Sequence, residues 1–286
     1  DAVIDAEVDL AGKVVMAGAI DLHTHIGGGK LNIARLLLPE DHRGDPVPAL
    51  DLGAGGYLHA GCGHAAPSTF TTGYRYAEMG YTACFEPAML PANARHAHLE
   101  MGDIPMVDKG AYAMLGSDDF FLRLLAAGAD QRHINDYVGW TLDASQAMAI
   151  KVVNPGGISA FKFNARHLDL DEAHPHYGVT PRRVIQALAR AVHDLGVSHP
   201  LHVHASNLGI PGNADTTLAT MAAAEGLPIH LTHIQFHSYG TEGERKFSSE
   251  AERIADAINR LPNVSADVGQ ILFGQTVTAS GDTMGQ

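Results

Sequence analysis

Two histidines at alternate positions, His23 and His25, follow an apolar run that is typical of a β-strand. Because side chains alternate between the two faces of a strand, this interval places both imidazoles on one face. Two neutral imidazoles on one face can bind a single divalent metal, and the glycines that follow allow the backbone to turn beside it. The pair therefore indicates a metal site. The alternative interpretation is a pair of hydrogen-bonded structural histidines.

A second strand-like run, Leu201–His204, also ends in histidine. His202 and His204 share a face of that run, again because the interval is two. His204 is predicted to be the ligand because it lies nearer the carboxyl end of the run. His202 is assigned a deeper role, in support of a ligand and not as one.

A third run, Ile229–His233, repeats the pattern. His233 is preferred as a ligand over His230 and His237 by the same positional argument. For any single run, a satisfied core histidine is an equally good interpretation. Three runs that end alike favour one shared metal site.

The strand-like run Ala149–Val153 carries Lys151 in its middle. Burying an ammonium there is costly unless it is paired or loses its proton. A neutral lysine amine can react with carbon dioxide to give a carbamate, whose two oxygens can bridge a pair of metals. Lys151 is therefore predicted to form such a bridge, with Lys162 as a rival for the role. The alternative is that Lys151 pairs with an acid.

Composition and charge limit the classes of function. The 286 residues include 18 histidines, and 32 acidic residues against 19 lysines and arginines give a net charge of −13. This acidic balance argues against nucleic-acid binding. No apolar run is long enough to span a bilayer, and the two cysteines do not suggest a disulfide framework. These features predict a cytoplasmic protein.

Apolar runs of strand length alternate with longer amphipathic stretches, which is typical of repeated βα units. About seven such units predict an α/β protein of the (β/α)8 TIM-barrel type, in which functional groups project from the carboxyl ends of the strands. An open doubly wound sheet is the alternative, disfavoured because no Gly-x-Gly-x-x-Gly follows the first run. The predicted strands are Val14–Leu22, Thr82–Glu86, Ile104–Val107, Ala149–Val153, Leu201–His204, Ile229–His233 and Val264–Val268.

Two segments have helical periodicity, Pro181–Leu195 and Ser249–Leu261, and Ser249 is a candidate N-cap for the second. The glycine-rich stretch Gly44–Thr72 has no clear periodicity. It is predicted to be a long inserted loop, and it equally fits a lid over a site.

Longer motifs resemble those of one family. They include Asp21-Leu-His-Thr-His-Ile-Gly-Gly-Gly-Lys, Pro67-Ser-Thr-Phe-Thr-Thr-Gly-Tyr-Arg-Tyr, Lys151-Val-Val-Asn-Pro-Gly-Gly, His202-Val-His-Ala-Ser-Asn and Thr232-His-Ile-Gln-Phe-His-Ser-Tyr-Gly. The chain resembles the metal-dependent amidohydrolases along nearly its whole length. Within them it is similar to the A subunits of formylmethanofuran dehydrogenase and of the bacterial formyltransferase/hydrolase complex.

The resemblance implies a centre of two divalent metal ions, with zinc as the expected metal. His23 and His25 would hold one ion, a carboxylated Lys151 would bridge, and His204 and His233 would hold the second. The implied reaction is hydrolysis, or in reverse formation, of the formamide on a methanofuran-type one-carbon carrier, giving formate and the free amine. The implied partners are the other subunits of such a complex.

The resemblance also suggests residues that contact the substrate. Arg245 would stabilise the developing oxyanion, with a surface salt bridge as its alternative. His237 is a second catalytic candidate. Lys30, Asn207 and Arg75 are candidates for substrate binding, and the two basic residues among them suit a carboxylate-rich carrier tail.

Family features that this sequence lacks predict a truncated barrel. The family's eighth strand carries a metal-binding aspartate, which would lie beyond Gln286. Asp267 belongs to the preceding strand and is not assigned that role. The small β-domain before the barrel is reduced to residues 1–12, so residues 13–286 are expected to form strands 1–7 of a barrel truncated at both ends.

Two other functions are compatible with these residues. One is a cyclic-amide hydrolase similar to dihydropyrimidinases, with the same metals and a different pocket. The other is a non-catalytic barrel subunit that organises a complex. Turnover of a formylated carrier compared with dihydrouracil separates the two enzymes, and the presence of an eighth-strand aspartate in a longer chain would argue against the non-catalytic subunit.

Overall fold

The computed structural model describes residues 6–28, 50–51, 57–58, 69–156, 167–244, 246 and 248–269. Its main element is a parallel sheet of seven strands whose order in space follows their order in the chain. Those strands are β1 (Ala19–Asp21), β4 (Tyr81–Met89), β5 (Asp108–Met114), β6 (Ala149–Val153), β7 (Leu201–His204), β8 (Ile229–Leu231) and β11 (Val264–Ala266). Two short antiparallel pairs join β2 (Leu50–Asp51) to β3 (Tyr57–Leu58) and β9 (Tyr239–Gly240) to β10 (Ser248–Ser249). Because the described strand order never reverses, the doubly wound alternative is wrong.

Helices flank this sheet. In the described residues they are α1 (Thr69–Glu78), α2 (Ala94–Gly102), α3 (Asp119–Ala126), α4 (Gln131–Ser145), α5 (Pro181–Asp194), α6 (Asn213–Ala223) and α7 (Ala251–Arg260), with short 3-10 helices at Pro91–Asn93 and Ile234–His237. Three begin at a capping side chain, since Asp118, Asp130 and Thr180 each accept a hydrogen bond from a backbone amide in the first turn. None of the described helices combines the length and apolar character needed to cross a membrane.

The main core lies between the central strands and the helices that cover them. Every residue of β6 is buried, as expected for a parallel strand covered on both faces. Ile150 and Val152 of this strand belong to one buried apolar cluster with Val184 and Leu188 of α5. This packing fixes β6 and β7 as rigid supports for the residues at their carboxyl ends.

The sheet curls on itself. His23 follows β1, and His202 lies in β7, with β4, β5 and β6 between these two strands. Their imidazole rings nevertheless stack with centroids 5.2 Å apart. The described strands therefore form a curled half-barrel. This agrees with the predicted α/β barrel type of architecture.

Most predicted strands are confirmed, some with different limits. Ala149–Val153 and Leu201–His204 match β6 and β7, whereas Val14–Leu22 contracts to β1. Val14 and Met16 are 91% and 84% exposed, so the apolar character of this segment does not mark a buried strand within the described residues. The remaining limits shift by a few residues, as is usual for element ends.

The predicted strand Ile104–Val107 is wrong, because the strand begins at Asp108. Ile104 and Val107 are buried in a small apolar cluster with Met101. Pro105 between them has no amide to donate to a neighbouring strand. The apolar residues of this segment therefore pack a turn ahead of β5.

Two other expectations need correction. The predicted loop Gly44–Thr72 contains the β2 and β3 pair, and its last four residues form the start of α1; the rest of it lies outside the described residues. Helix α7 begins at Ala251 after Glu250, so Ser249 is not its N-cap. The Ser249 hydroxyl still accepts a hydrogen bond from the Ala251 amide at 3.3 Å, which supports the turn into the helix.

Candidate metal centre

Ionisable side chains collect where the parallel strands end at one edge of the sheet, as expected for a barrel-type architecture. We divide them into two groups. The first cluster is His23, Lys151, His202 and Asp267, and the second cluster is His204, His233 and His237.

Strand register places members of the first cluster side by side. Lys151 of β6 pairs with His202 of β7. His23 reaches them from the segment after β1, with its Nδ1 3.0 Å from His202 Nε2 and 3.3 Å from Lys151 Nζ. The possible ligand atoms of His23, His202 and Asp267 all lie within 4.8 Å of one another. Two imidazoles, an amine and a carboxylate thus converge on one small volume.

Burial keeps the imidazoles of the first cluster neutral. His202 is fully buried, and Lys151 is 1% exposed. Burial first, and the neighbouring Lys151 charge second, lower the pKa of His23 and of His202 far below the ordinary value. A neutral imidazole keeps a lone pair on one ring nitrogen, which is the form that binds a cation.

Asp267 is held as a carboxylate. Its Oδ2 lies 3.0 Å from His230 Nε2, and its Oδ1 accepts hydrogen bonds from the Thr232 hydroxyl at 3.2 Å and from the His233 amide. Burial alone would raise the pKa of Asp267, but the hydrogen bonds from His230 and from the His233 backbone outweigh it and lower that pKa. The ionised carboxylate is therefore available to a cation or a proton.

The second cluster consists of three imidazoles, one from the last residue of β7 and two from the segment after β8. His204 Nδ1 lies 3.0 Å from His233 Nε2. His233 has a left-handed backbone with φ 38°, and the 3-10 helix that follows it brings the ring of His237 to 5.2 Å from both other rings. Burial, followed by Lys151, lowers the pKa of His233 to about 4; burial, followed by His233, lowers that of His237 to about 3.

His25 lies beside these clusters and has its own support. Its Nδ1 is 3.1 Å from Oε1 of Glu86, a buried carboxylate within β4. Glu86 also accepts hydrogen bonds from the backbone amides of Ile26, Gly27 and Ala88. This carboxylate therefore fixes the turn that carries His25 and orients its ring, with Nδ1 directed at Glu86.

An outer layer of polar groups supports the first cluster. His202 Nδ1 lies 3.1 Å from His199 Nε2, and His230 Nδ1 lies 2.9 Å from the Ser265 hydroxyl. The ring of Tyr112 lies 5.1 Å from that of His202. Burial, and then the charges of His230 and Lys151, lower the pKa of His199 to about 4. These contacts orient the rings of the cluster before any ligand binds.

The structure brings four of the predicted ligands into the two clusters: His23, Lys151, His204 and His233. His25 is adjacent, with its ring centroid 5.3 Å from that of His23, but it belongs to neither cluster. Two residues that the sequence set aside lie inside. The ring of His202 stacks on that of His23. Asp267 places a carboxylate oxygen within 4.8 Å of a ring nitrogen of each of these histidines.

The sequence offered only weak signals for these two residues. His202 shares a strand face with His204, and the sequence predicts for it a supporting role beside a ligand. Asp267 was visible only as the acid of a strand-end motif, because its approach to His23 depends on the curl of the sheet. Glu86 gave no signal beyond an acid at the end of an apolar run.

The predicted substrate contacts have mixed outcomes. Asn207 uses its side chain within the protein, accepting from the Leu168 amide at 3.1 Å and donating to Asp169 at 2.9 Å. Arg75 lies in the last turn of α1. Lys30, Arg245 and the rival Lys162 lie outside the described residues.

The donor set fits divalent cations. In the described part of the chain, His233 Nδ1 and both ring nitrogens of His237 are buried without a hydrogen-bond partner. Buried polar atoms of a protein normally have one. Neutral imidazoles together with a carboxylate are ligands that zinc and related divalent metals accept. These residues therefore suit one or two such ions.

Comparison with known proteins is consistent with this geometry. Residues 6–285 match the amidohydrolase family. Over 287 residues the chain is 44% identical to the A subunit of the formyltransferase/hydrolase complex Fhc of Methylorubrum extorquens, covering 99% of this chain and 51% of that protein. Over 286 residues it is 40% identical to protein FwdA of Methanocaldococcus jannaschii, covering 96% of this chain and 49% of that protein.

A solved structure has the same fold as this chain. The X-ray structure of the FhcABCD complex from Methylorubrum extorquens with methylofuran includes a chain that matches with a TM-score of 0.88 at 44% identity, over 100% of this chain and 51% of that one. The present chain thus spans about half the length of the relatives it matches.

Proposed function

The chain belongs to the amidohydrolase family, and from that premise we propose that it hydrolyses, or in reverse forms, the formamide of a methanofuran-type one-carbon carrier. The relatives support this: one belongs to a formyltransferase/hydrolase complex, and the solved complex contains methylofuran. The observation that carries the proposal is the convergence of neutral imidazoles, a buried lysine and a carboxylate at one edge of the sheet. The half-barrel is proposed to be seven strands of a (β/α)8 barrel.

We propose a binuclear centre held by this chain. In this centre His23 and His25 would hold one cation, His204 and His233 would hold the second, and a carboxylated Lys151 would be shared between them, with zinc as the proposed metal. Two bound divalent cations would polarise the formamide carbonyl and lower the pKa of a coordinated water. Burial of Lys151 supports its role, because a buried amine is more easily neutral and a neutral amine is the form that reacts with carbon dioxide.

Asp267 is the proposed proton carrier. Hydrolysis forms a carbon–oxygen bond between water and the formyl carbon, breaks the carbon–nitrogen bond, and leaves a proton on the amine nitrogen. A carboxylate that accepts the proton of the water and returns it to the nitrogen serves both steps. The ionised Asp267, within 4.8 Å of the ligand atoms of His23 and His202, has the charge and position for this transfer.

Several finer assignments are part of the same proposal. Arg245 stabilises the developing oxyanion, and Lys30 and Arg75 contact carboxylates of the carrier. The protein works within a multisubunit complex of the kind its relatives are named for, in the cytoplasm. The described cysteine, Cys84, is buried, and burial raises the pKa of its thiol to about 12, which suits a structural residue and not a redox one.

Formate release tests the function. The full-length protein, purified with its partner subunits, is incubated with formylated carrier and, in parallel, with dihydrouracil. We expect formate from the carrier, loss of activity after treatment with a chelator, recovery with zinc, and no turnover of dihydrouracil. Turnover of the cyclic amide alone would identify a different amidohydrolase. Activity on neither substrate, in protein that carries its metals, would favour a non-catalytic subunit.

A further inference from the structure

His237 is a buried histidine that the proposed binuclear centre does not use. It is 1% exposed and ends the 3-10 helix after β8. Within the described residues neither of its ring nitrogens has the geometry of a hydrogen bond, and the nearby backbone of Ser206 raises the pKa of the ring against the larger lowering by burial. A buried imidazole in this state has binding capacity that the described chain leaves unused.

The other buried histidines of the centre behave differently. His202 is hydrogen-bonded through both ring nitrogens, to His199 and to His23. His230 is likewise bonded through both, to Ser265 and to Asp267. A histidine that only supports its neighbours makes such bonds. His237 does not, so a supporting role leaves its two nitrogens unexplained.

The surroundings of His237 favour a cation. Its ring stacks on that of His233 and lies edge-on to that of His204, each with a centroid distance of 5.2 Å. One ligand atom from each of the three residues lies within 4.8 Å of the others. His204 Nδ1 and His233 Nε2 are 3.0 Å apart, close to the roughly 3.3 Å that separates two nitrogens on a tetrahedral zinc.

We propose that His237 is a third imidazole ligand of the second cation, together with His204 and His233. This inference rests on the proposed function, because it extends the ligand set of that centre. Sets of three imidazole ligands occur in catalytic zinc sites. The second cation would then have three imidazole ligands beside the Lys151 carbamate that the proposed centre shares between its two cations.

Cobalt binding to the full-length protein tests this assignment. Cobalt(II) is added to cation-free wild type and to His237→Ala and His237→Gln, and dissociation constants are obtained by competition with a chelator. Changes to residues that only support a ligand typically weaken metal binding 10–100-fold. We expect one of two bound cobalt ions to be weakened by more than 100-fold in both variants, with the other unchanged.

The absorption spectrum of bound cobalt shows directly whether the side chain at position 237 coordinates it. His237→Cys places a thiolate donor at the same position, and cobalt bound to a thiolate gives a charge-transfer band that imidazole does not give. We expect this band in His237→Cys and a changed ligand-field spectrum in His237→Ala. His174→Ala is the matched control, since it removes another imidazole that is 1% exposed and whose described hydrogen bonds are to its own loop; its cobalt binding should equal that of wild type.

The outcomes separate this inference from the function. Two cobalt ions bound to His237→Ala or His237→Gln within 100-fold of wild type, the range of a residue that only supports a ligand, with an unchanged spectrum, would overturn the third ligand and leave the binuclear centre intact. Wild type that binds no cobalt would overturn the centre itself. Circular dichroism of each cation-free variant verifies the fold, and His237→Gln, which keeps most of the side-chain volume, decides the matter if His237→Ala is unfolded.

Discussion

The first and second clusters lie next to each other, yet the protein satisfies their ring nitrogens differently. In the first, His202 is hydrogen-bonded through both ring nitrogens, and Asp267 accepts from three donors, one of which is His230 of the outer layer. In the second, His233 Nδ1 and both nitrogens of His237 have no hydrogen-bond partner in the described chain. The first cluster is therefore organised by the protein itself, whereas the second has donor atoms left for a ligand.

Lys151→Met is expected to have the largest effect, because it removes the proposed bridging group of the first cluster. Loss of the proposed bridge should lower the rate of formate release on the order of 10³-fold, since metal-assisted stabilisation is worth several kcal/mol. In cation-free protein without bound carbon dioxide, the free energy of unfolding should stay the same or rise, because a buried amine is replaced by an apolar side chain. Enzyme assays and urea unfolding measure the two effects.

Lys109→Met is the matched control for that variant. Lys109 is half-buried and donates to the Ile104 carbonyl at 2.7 Å, away from both clusters. The rate of formate release by the Lys109→Met protein should stay close to that of wild type. A Lys151→Met protein that retains more than a tenth of the wild-type rate would mean that the first cluster works without its lysine.

Asp267→Asn separates the carboxylate from the imidazoles. The amide has nearly the same shape but cannot take a proton, so the rate should fall by about 10² to 10⁴-fold, with metal content largely kept. Rates measured as a function of pH should also lose the acid limb that the ionisation of Asp267 produces. Asp215→Asn, which changes an exposed carboxylate paired with Arg253, serves as the control; equal rates for the two variants would exclude Asp267 as proton carrier.

Glu86→Gln tests the support of His25. The glutamine amide cannot accept from His25 and from three backbone amides in the same way, so the ring of His25 should lose its orientation. We expect the cation of the first site to bind about 10–100-fold more weakly, with the second site unchanged. Glu100→Gln is the control, because Glu100 accepts from the Gly28 amide of the same turn without contacting His25. Equal loss at both sites would show that Glu86 acts on the fold in general.

The neutral histidines of the second cluster predict a pH dependence of stability in cation-free protein. The pKa values of His233 and His237, about 4 and about 3, lie below the value near 6.5 of an unfolded chain. Between pH 6.5 and 4 the unfolded chain therefore binds more protons, and stability falls as the pH falls, by up to about 1.4 kcal/mol per pH unit for each histidine.

Urea unfolding between pH 7.5 and 4.5 measures that slope. The lowered pKa of Asp267 adds a loss of stability at lower pH, because its contribution is present above the unfolded pKa and disappears as the pH falls through the folded one. The free energy of unfolding of His237→Gln should fall less steeply with decreasing pH than that of wild type. A slope that is the same in both proteins would show that His237 does not contribute to the pH dependence.

The sequence predicted the strands that the core buries and missed features that depend on curvature. Ala149–Val153 and Leu201–His204 are short apolar runs buried on both faces, and such runs are recognisable without a structure. Asp267 reaches His23 only because the sheet curls, and His237 reaches His233 only through a left-handed residue and a 3-10 helix. Periodicity carries no information on either, since both arise from tertiary packing.

The number of cations per chain tests the central claim most directly. Elemental analysis of full-length protein purified without chelator gives the metal content, and native mass spectrometry of the same preparation detects the carbamate. The binuclear centre predicts close to two divalent cations per chain, with carbon dioxide bound at Lys151. Well under one cation per chain, with an unmodified lysine, would contradict it.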